Sequence, residues 1–427
     1  MSAIERLRAA LSGRFQRDAL WNFASVAVLG VCGYGLNFLI GRHWGAAPLG
    51  VFNQTLAAYI FVSQAAVGGI NLSVLRAMSE RREDRGHVAT VIAGALPPTL
   101  FLASVFTLVF YLLREPVAAL LDSPQVSEGI AAATPGLFFF ALNKVGMSVV
   151  NGAQRMRAFA IYTSLRYVLM VAGLGVVAWS DMGPGRIAFL FSFAEGLLFV
   201  PLALEVAAQM RAPIAPTWRT WSREHLVYGV KSMGSGMLME LNSRLDVLML
   251  GVFLADGPVG VYSFAALVAE GVFQLLVVLQ NNYNPLLAQH LAAGRTAELE
   301  QLIAKGKRVT YWLMLGVGAA TLAVFPVFLW VLDREEFAAG WLPLALLVGG
   351  IVAIAGYMPF LQVLLMANQP AWHTRLMFSV VLLNAYFNAL LIPSFGLSGA
   401  AGATALAMLG SVLMLRVLAR REVGLRL

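Results

Sequence analysis

The sequence is poor in cysteine and in catalytic motifs, and each of these absences excludes a class of protein or site. One residue of 427 is cysteine, Cys32, which excludes disulfide bonds within the chain and cysteine-ligated metal sites. No glycine-rich phosphate loop with Lys and Ser or Thr is present, so ATP hydrolysis is not expected. The five histidines lack the spacing of metal ligands: His43, His87, His225, His290 and His373. We therefore expect neither a cofactor nor an enzyme.

Charge and long polar segments are also scarce. Charged residues make up 12% of the chain and hydrophobic residues 59%, and the mean hydropathy is +0.76. Apolar stretches of about 20 residues, the length that crosses a hydrocarbon core, recur along the chain. They predict an all-α polytopic membrane protein with twelve spans. These lie at about residues 20–43, 50–76, 88–113, 130–152, 157–180, 187–208, 227–253, 258–288, 309–332, 340–365, 374–393 and 397–418.

The cations are distributed unevenly between the two sides of this bundle. Twenty-two of the 30 Lys and Arg residues fall in the odd-numbered extramembrane segments, which include both termini. The even-numbered connections hold Arg42, Arg114, Arg186 and Arg334. Because cytoplasmic loops carry the excess of Lys and Arg, both termini are predicted to be cytoplasmic. The net charge of +8 is spread over loops that face lipid headgroups, so nucleic-acid binding is not expected.

The chain resembles itself at half length. A shift of 210 residues aligns Gly41, Pro48, Gly50, Val51, Val62 and Gln64 with Gly251, Pro258, Gly260, Val261, Val272 and Gln274 without a gap. A repeat unit of six spans has an even number of membrane crossings, so both units insert in the same orientation. The two units are then related by a pseudo-two-fold axis along the membrane normal. We therefore predict an N-terminal six-helix lobe, residues 1–213, and a C-terminal six-helix lobe, residues 214–427.

Eight ionisable residues lie at membrane depth, away from the ends of the predicted spans, where each costs about 3 kcal/mol or more to insert. Such groups are expected to face protein or a water-filled cavity. They are Lys144, Arg166, Glu195, Lys231, Glu240, Arg244, Asp246 and Glu270. Their net charge is +1 in the N-terminal lobe and −1 in the C-terminal lobe.

The spacing of these residues leaves alternatives open. Lys144 and Arg166 provide donors suited to an anion, or one of them forms a structural bridge to Glu195. Glu240 and Arg244 are four residues apart, which favours an ion pair within one helix. A lone acid at membrane depth is suited to the uptake and release of a proton or sodium ion. The acids considered for ion coupling are Glu195, Glu240, Asp246 and Glu270.

Three blocks of sequence carry a resemblance to a known family. They are Pro48–Phe52 with Gly69 and Arg76; Asp246 with Met249–Gly251 and Val259–Tyr262; and Asn384, Asn388, Ile392–Pro393, Gly396, Gly399–Ala401 and Ala403–Thr404. With these blocks the chain resembles the polysaccharide-biosynthesis exporters. These are lipid-linked oligosaccharide flippases, of the O-antigen type, within the multidrug/oligosaccharidyl-lipid/polysaccharide exporter superfamily. The resemblance covers essentially the whole chain.

The resemblance implies a MATE-like, V-shaped bundle of two lobes in a bacterial inner membrane. It also implies transfer of polyprenyl-pyrophosphate sugars from the inner to the outer leaflet, for lipopolysaccharide or exopolysaccharide synthesis. Cationic residues of a central cavity would receive the pyrophosphate, and the candidates are Lys144, Arg166, Lys231 and Arg244.

We therefore expect a flippase that works by alternating access, coupled to a proton or sodium gradient and associated with a polysaccharide polymerase. An ion-coupled small-molecule exporter of the same superfamily is the first alternative, and it would need an acidic, cation-binding cavity. A flippase for a peptidoglycan precursor is a second alternative, although such proteins often have more than twelve spans. A membrane-embedded glycan polymerase is a third, and it would need a large outer loop.

Overall fold

A computed structural model of the protein describes residues 14–180 and 182–427. Within these two ranges the regular structure is helical throughout and contains no β-strand, which confirms the predicted all-α class. Arg6 and Arg8 of the first cationic cluster lie outside the described residues.

The helices follow one another with short connections, and the described residues of the first half of the chain form eight of them. They are α1 (Arg14–Trp44), α2 (Ala46–Val67), α3 (Ile70–Glu80), α4 (Arg85–Leu112), α5 (Arg114–Leu120), α6 (Pro124–Gly152), α7 (Met156–Trp179) and α8 (Phe189–Gln209). The second half contains α9 (Trp218–Phe253), α10 (Asp256–Ala292), α11 (Thr296–Leu332), α12 (Trp341–Ile354), α13 (Val363–Met366) and α14 (Pro370–Leu418). Short 3-10 turns precede α8 and α12 and follow α12.

Nine helices of the described ranges are long and apolar enough to cross a membrane, and the bent pair α2 and α3 raises the number to ten. The predicted seventh span lies on α9, which is less apolar because Lys231, Glu240, Arg244 and Asp246 fall within it. The predicted eleventh and twelfth spans both lie on α14. The protein is therefore a multi-pass membrane protein, and the count of twelve spans stays a prediction.

Helix α14 is a hairpin of two helical arms rather than one rod. The backbone is non-helical at Gly396, where φ is 56° and ψ is −129°, a conformation that glycine adopts at little cost. A methyl group on Gly399 would overlap the carbonyl oxygen of Leu391, and one on Gly410 would overlap the side chain of Leu383. Residues so far apart in one straight helix could not meet, so the two arms run back along each other. The two predicted spans 374–393 and 397–418 correspond to these arms.

The described residues pack as two compact units. Unit 1 takes the chain up to Leu39 and Ala58–Met237, and unit 2 takes Ile40–Ala57 and Leu238–Leu427. In unit 1, α6 is the central helix and packs against α3, α4, α7 and α8. In unit 2, α12 packs against α10, α11 and α14. The two six-helix lobes, residues 1–213 and 214–427, come from the internal repeat, and their boundary stays a prediction.

Two segments of the internal repeat meet inside unit 2. A methyl group on Gly50 of α2 would overlap the carbonyl oxygen of Asp256, and one on Gly260 of α10 would overlap the carbonyl oxygen of Ala46. Ala46 and Asp256 are 210 residues apart, as are Gly50 and Gly260. The contact is therefore reciprocal, and it lets two helix backbones approach as closely as small residues allow in membrane proteins.

The first test is of this contact. Gly260→Ala places a methyl group on the backbone of α2, and we expect a loss of about 1–3 kcal/mol in the free energy of unfolding, typical of overpacking. Gly257→Ala, one turn earlier on the same helix, is the control because nothing lies within 4 Å of the added carbon. Mixed-micelle denaturation measures both variants. Equal stability of the two would contradict the close backbone contact.

Candidate functional site

Unit 1 contains a buried carboxylate with a cationic partner. Glu195 of α8 is fully buried. The amide of Asn143 on α6 donates to Glu195 Oε2 at 2.8 Å and to the backbone oxygen of Glu195 at 2.9 Å. Arg166 of α7 places Nε 2.8 Å from Glu195 Oε1. Three helices are thus joined by one charged group, which is the structural bridge considered as an alternative from the sequence.

Arg166 itself is mostly enclosed. Its side chain is 15% exposed, and its guanidinium lies 5.2 Å from the centroid of the Phe140 ring. The charge of Arg166 is balanced by Glu195, so a free anion would compete with an existing partner. Lys144 follows Asn143 on α6 and is half-buried. Because successive residues of a helix point about 100° apart, Lys144 lies on a different face of α6 from Asn143.

A cleft opens between α3 and α9 in unit 1. Its volume is about 510 Å³, and it is lined by Ser73, Arg76, Ala77, Glu80, Thr220, Trp221, Arg223, Glu224, Val227, Tyr228 and Lys231. The structure therefore brings the predicted Lys231 together with two arginines. Arg76 forms an ion pair with Glu80 at 3.1 Å and lies over the Tyr228 ring at 5.4 Å.

Beneath this cleft a buried polar contact fixes α9 to its neighbours. His225 Nδ1 lies 2.8 Å from the hydroxyl of Ser73, and His225 Nε2 lies 3.2 Å from the backbone oxygen of Val91. The imidazole also stacks on Trp221. His225 therefore has a structural role, because its ring contacts α3, α4 and α9. In the described ranges no group of three His, Cys, Asp or Glu side chains could hold a metal ion.

Unit 2 contains a second carboxylate, which is half-buried and has a different set of partners. Asp246 of α9 accepts hydrogen bonds from the hydroxyl of Tyr262 at 3.0 Å and the hydroxyl of Thr404 at 2.6 Å. The amides of Asn384 and Asn388 donate to it at 3.1 and 2.9 Å. We call these five residues the Asp246 centre. Every donor is neutral, and no ion pair is formed by Asp246 within the described residues.

The helices position this centre from distant parts of the chain. Asn384 and Asn388 are four residues apart and share one face of the first arm of α14. The turn at Gly396 brings Thr404 of the second arm back beside them. The amide oxygen of Asn388 is buried and has no hydrogen-bond partner. Two carboxylate oxygens, amide oxygens and a hydroxyl are the ligands that hard cations prefer, so the centre is suited to a proton or a sodium ion.

The remaining predicted residues are placed elsewhere. The expected ion pair between Glu240 and Arg244 is not among the ion pairs of the described residues, and Arg244 Nε is buried without a hydrogen-bond partner. Glu270 is exposed on α10. The structure therefore gathers Asp246, alone of the four predicted acids, into a centre of neutral donors.

Comparison with known proteins identifies the family to which the sequence is similar. Residues 96–325, more than half of the chain, match the model of a family described as polysaccharide biosynthesis protein. A curated relative from Haloferax volcanii, described as the probable low-salt glycan biosynthesis flippase Agl15, is 23% identical over 383 residues. That match covers 89% of this chain and 79% of the relative.

Solved structures share the fold at low identity. The inward closed conformation of the lipid II flippase MurJ has a TM-score of 0.72 at 13% identity, covering 94% of this chain and 87% of that one. An inward-facing multidrug resistance MATE family transporter of the MOP superfamily has a TM-score of 0.76 at 14% identity. That match covers 92% of this chain and 94% of the other. The predicted MATE-like architecture and the resemblance stated from sequence motifs are confirmed.

The second test concerns the buried bridge. Glu195→Gln leaves the Arg166 guanidinium buried without its counter-charge, and we expect a loss of about 3–5 kcal/mol in the free energy of unfolding. The double variant Arg166→Met with Glu195→Gln should recover most of this loss, because no charge then remains. Glu128→Gln removes the half-exposed pair with Arg186 and should cost about 1 kcal/mol or less. A double variant as unstable as Glu195→Gln would contradict the bridge.

Proposed function

The chain belongs to the polysaccharide biosynthesis protein family, and on that premise we propose that it is a flippase for a lipid-linked oligosaccharide. The cargo is a glycan on a polyprenyl pyrophosphate, which moves from the cytoplasmic to the outer leaflet by alternating access. The likeness to Agl15 supports this cargo class, since that relative is described as a glycan biosynthesis flippase. The membrane is the plasma membrane, with both chain termini on the cytoplasmic side, as the distribution of cations favours.

The Asp246 centre is the observation that carries the transport part of this proposal. A carboxylate surrounded by neutral donors lacks the counter-charge that a permanently ionised group at membrane depth requires. A proton or a sodium ion supplies that charge and leaves again as the centre is exposed to one side or the other. Differential affinity of the two transporter states for the ion then drives the conformational equilibrium. We assign ion coupling to Asp246 in preference to Glu195, Glu240 and Glu270.

Recognition of the pyrophosphate is assigned to the predicted cations. Arg244 is the strongest candidate because a buried guanidinium nitrogen without a hydrogen-bond partner is available to a phosphate oxygen. Lys231 lies in the cleft of unit 1 with Arg76 and Arg223. Lys144 is half-buried, and Arg166 is the weakest candidate because Glu195 balances its charge.

The third test is of ion coupling. Asp246→Asn keeps the size of the side chain and removes its charge, so we expect the stimulation of flipping by a sodium or proton gradient to fall at least about tenfold, which corresponds to about 1.4 kcal/mol. The assay follows a fluorescent polyprenyl-pyrophosphate oligosaccharide in proteoliposomes. Asp333→Asn, in the connection after α11, is the matched control. Gradient stimulation equal to that of the wild type in Asp246→Asn would contradict the assignment.

The same vesicles distinguish the alternatives of this fold. Movement of a fluorescent organic cation without movement of the glycolipid would favour a multidrug exporter, and movement of a lipid II analogue in its place would favour a peptidoglycan-precursor flippase. Either result would overturn the proposed cargo.

The fourth test is of the cations. Lys144→Ala, Lys231→Ala and Arg244→Ala should each lower flipping by about tenfold or more, since a charge-assisted contact to phosphate is lost. The amount of protein in the membrane should not change. Arg295→Ala, which breaks the exposed pair with Glu298, is the control. Wild-type flipping in any one of the three variants would remove that residue from the site.

A further inference from the structure

A break in the helical structure of unit 2 lies beside an unusual pair of cations. Helix α12 ends at Ile354, a turn follows at residues 355–357, and a 3-10 turn covers Met358–Phe360. The sequence explains the break, since Gly356 and Pro359 both disfavour a continuous helix. The predicted span at residues 340–365 is therefore discontinuous.

The backbone groups freed by this break are satisfied by side chains of two neighbouring helices. The hydroxyl of Tyr311 on α11 donates to the backbone oxygen of Ala353 at 3.1 Å. The amide of Gln280 on α10 donates to the backbone oxygen of Met358 at 3.3 Å. The Tyr311 ring lies so close to Gly356 that any added side chain there would overlap it. The break is thus a built feature, and discontinuous helices of this kind form ligand sites in transporters.

Tyr357, at the centre of the break, lies between two cationic side chains. Lys307 Nζ of α11 lies 3.9 Å from the centroid of the Tyr357 ring, and Arg416 Cζ of α14 lies 5.7 Å from it. The two charges are therefore within about one Debye length, roughly 10 Å, of each other. One aromatic ring attracts both cations, but it cannot neutralise either of them.

No acid of the described residues forms an ion pair with Lys307 or Arg416. Glu298 of α11 is engaged by Arg295, and Glu300 of α11 accepts a hydrogen bond from the backbone amide of Arg426. Lys307 and Arg416 thus place two positive charges at one ring, while these two acids of α11 have other partners. The pair is therefore suited to bind an anion from outside the protein.

The position of these residues indicates which anion is available. Lys307 and Arg416 belong to the cationic clusters that the charge distribution places on the cytoplasmic side, together with the exposed residues Lys305, Arg420 and Arg421. Basic pockets between membrane helices on that side bind anionic lipid headgroups. A phosphate there receives charge-assisted hydrogen bonds from a guanidinium and an ammonium, and a phenol hydroxyl is a further donor.

We propose that Lys307, Tyr357 and Arg416 form a binding site for the headgroup phosphate of an anionic phospholipid of the cytoplasmic leaflet. The site is separate from the Asp246 centre and from the cations assigned to the cargo. It binds a lipid that stays in its leaflet and stabilises the broken end of α12 against α11 and α14.

The experiment measures lipid binding to the purified full-length protein, independently of transport. Native mass spectrometry and the thermal unfolding midpoint are recorded in a neutral detergent with added phosphatidylglycerol, phosphatidylcholine, inorganic phosphate or a polyprenyl pyrophosphate. For the wild type we expect saturable binding of phosphatidylglycerol and a raised unfolding midpoint, with neither effect from phosphatidylcholine.

Charge-neutral variants locate the site. Lys307→Gln with Arg416→Gln should weaken phosphatidylglycerol binding at least tenfold. The matched control, Lys305→Gln with Arg420→Gln, removes the same charge from two neighbouring exposed positions and should bind within twofold of the wild type. If the first double variant does not fold, Arg416→Gln alone is measured, because Arg416 is exposed.

Three outcomes overturn the proposal. The first is equal phosphatidylglycerol binding in the Lys307 and Arg416 variants and the wild type. The second is equal loss in the control, which makes the effect one of general surface charge. The third is binding of inorganic phosphate or polyprenyl pyrophosphate at these residues without binding of phosphatidylglycerol, which assigns them to a free anion or to the cargo.

Discussion

The need to neutralise charge inside an apolar helix bundle is the constraint on which the rest of this structure depends. Unit 1 meets it with an internal counter-ion, because Arg166 and Asn143 both reach the buried Glu195. Unit 2 meets it with neutral donors only, because Asp246 is held by two amides and two hydroxyls. The first arrangement is complete and suits a permanent brace between helices. The second is one positive charge short, so it suits a group whose state changes during a transport cycle.

Close backbone contact is the second requirement of the fold, and it depends on small residues. Lipid tails give helices no hydrophobic reason to associate, so tight packing and polar contacts must hold them. Gly50 and Gly260 provide the reciprocal contact of the internal repeat, and Gly396 turns α14 back so that Thr404 reaches Asp246. Glycines are thus needed at two places in unit 2: Gly50 and Gly260 for helix packing, and Gly396 for the geometry of the polar centre.

Much of this architecture could be predicted from the sequence. The rest could not, because it depends on contacts between residues that are distant along the chain. Apolar length predicted the helices, since it is a local property of the sequence. The Arg166–Glu195 bridge was one of two alternatives, because spacing alone does not say which helices touch. The ion pair between Glu240 and Arg244, which their spacing favours, is not among the ion pairs of the described residues. Asn384, Asn388 and Thr404 belong to the motifs that carry the family resemblance, but their contact with Asp246 does not follow from the sequence, since they lie more than 130 residues away along the chain. Gly356 and Pro359 were the available signal for the broken helix.

The central claim is that one aspartate inside the bundle exchanges a cation. Difference infrared spectroscopy of the wild-type protein, labelled with carbon-13 aspartate and recorded on addition of sodium or on acidification, observes this directly. The account predicts that the carboxyl band of one aspartate within the membrane changes between an ionised and a cation-bound or protonated form under these conditions. Carboxyl bands that respond to neither sodium nor protons, apart from those of solvent-exposed aspartates, would contradict it.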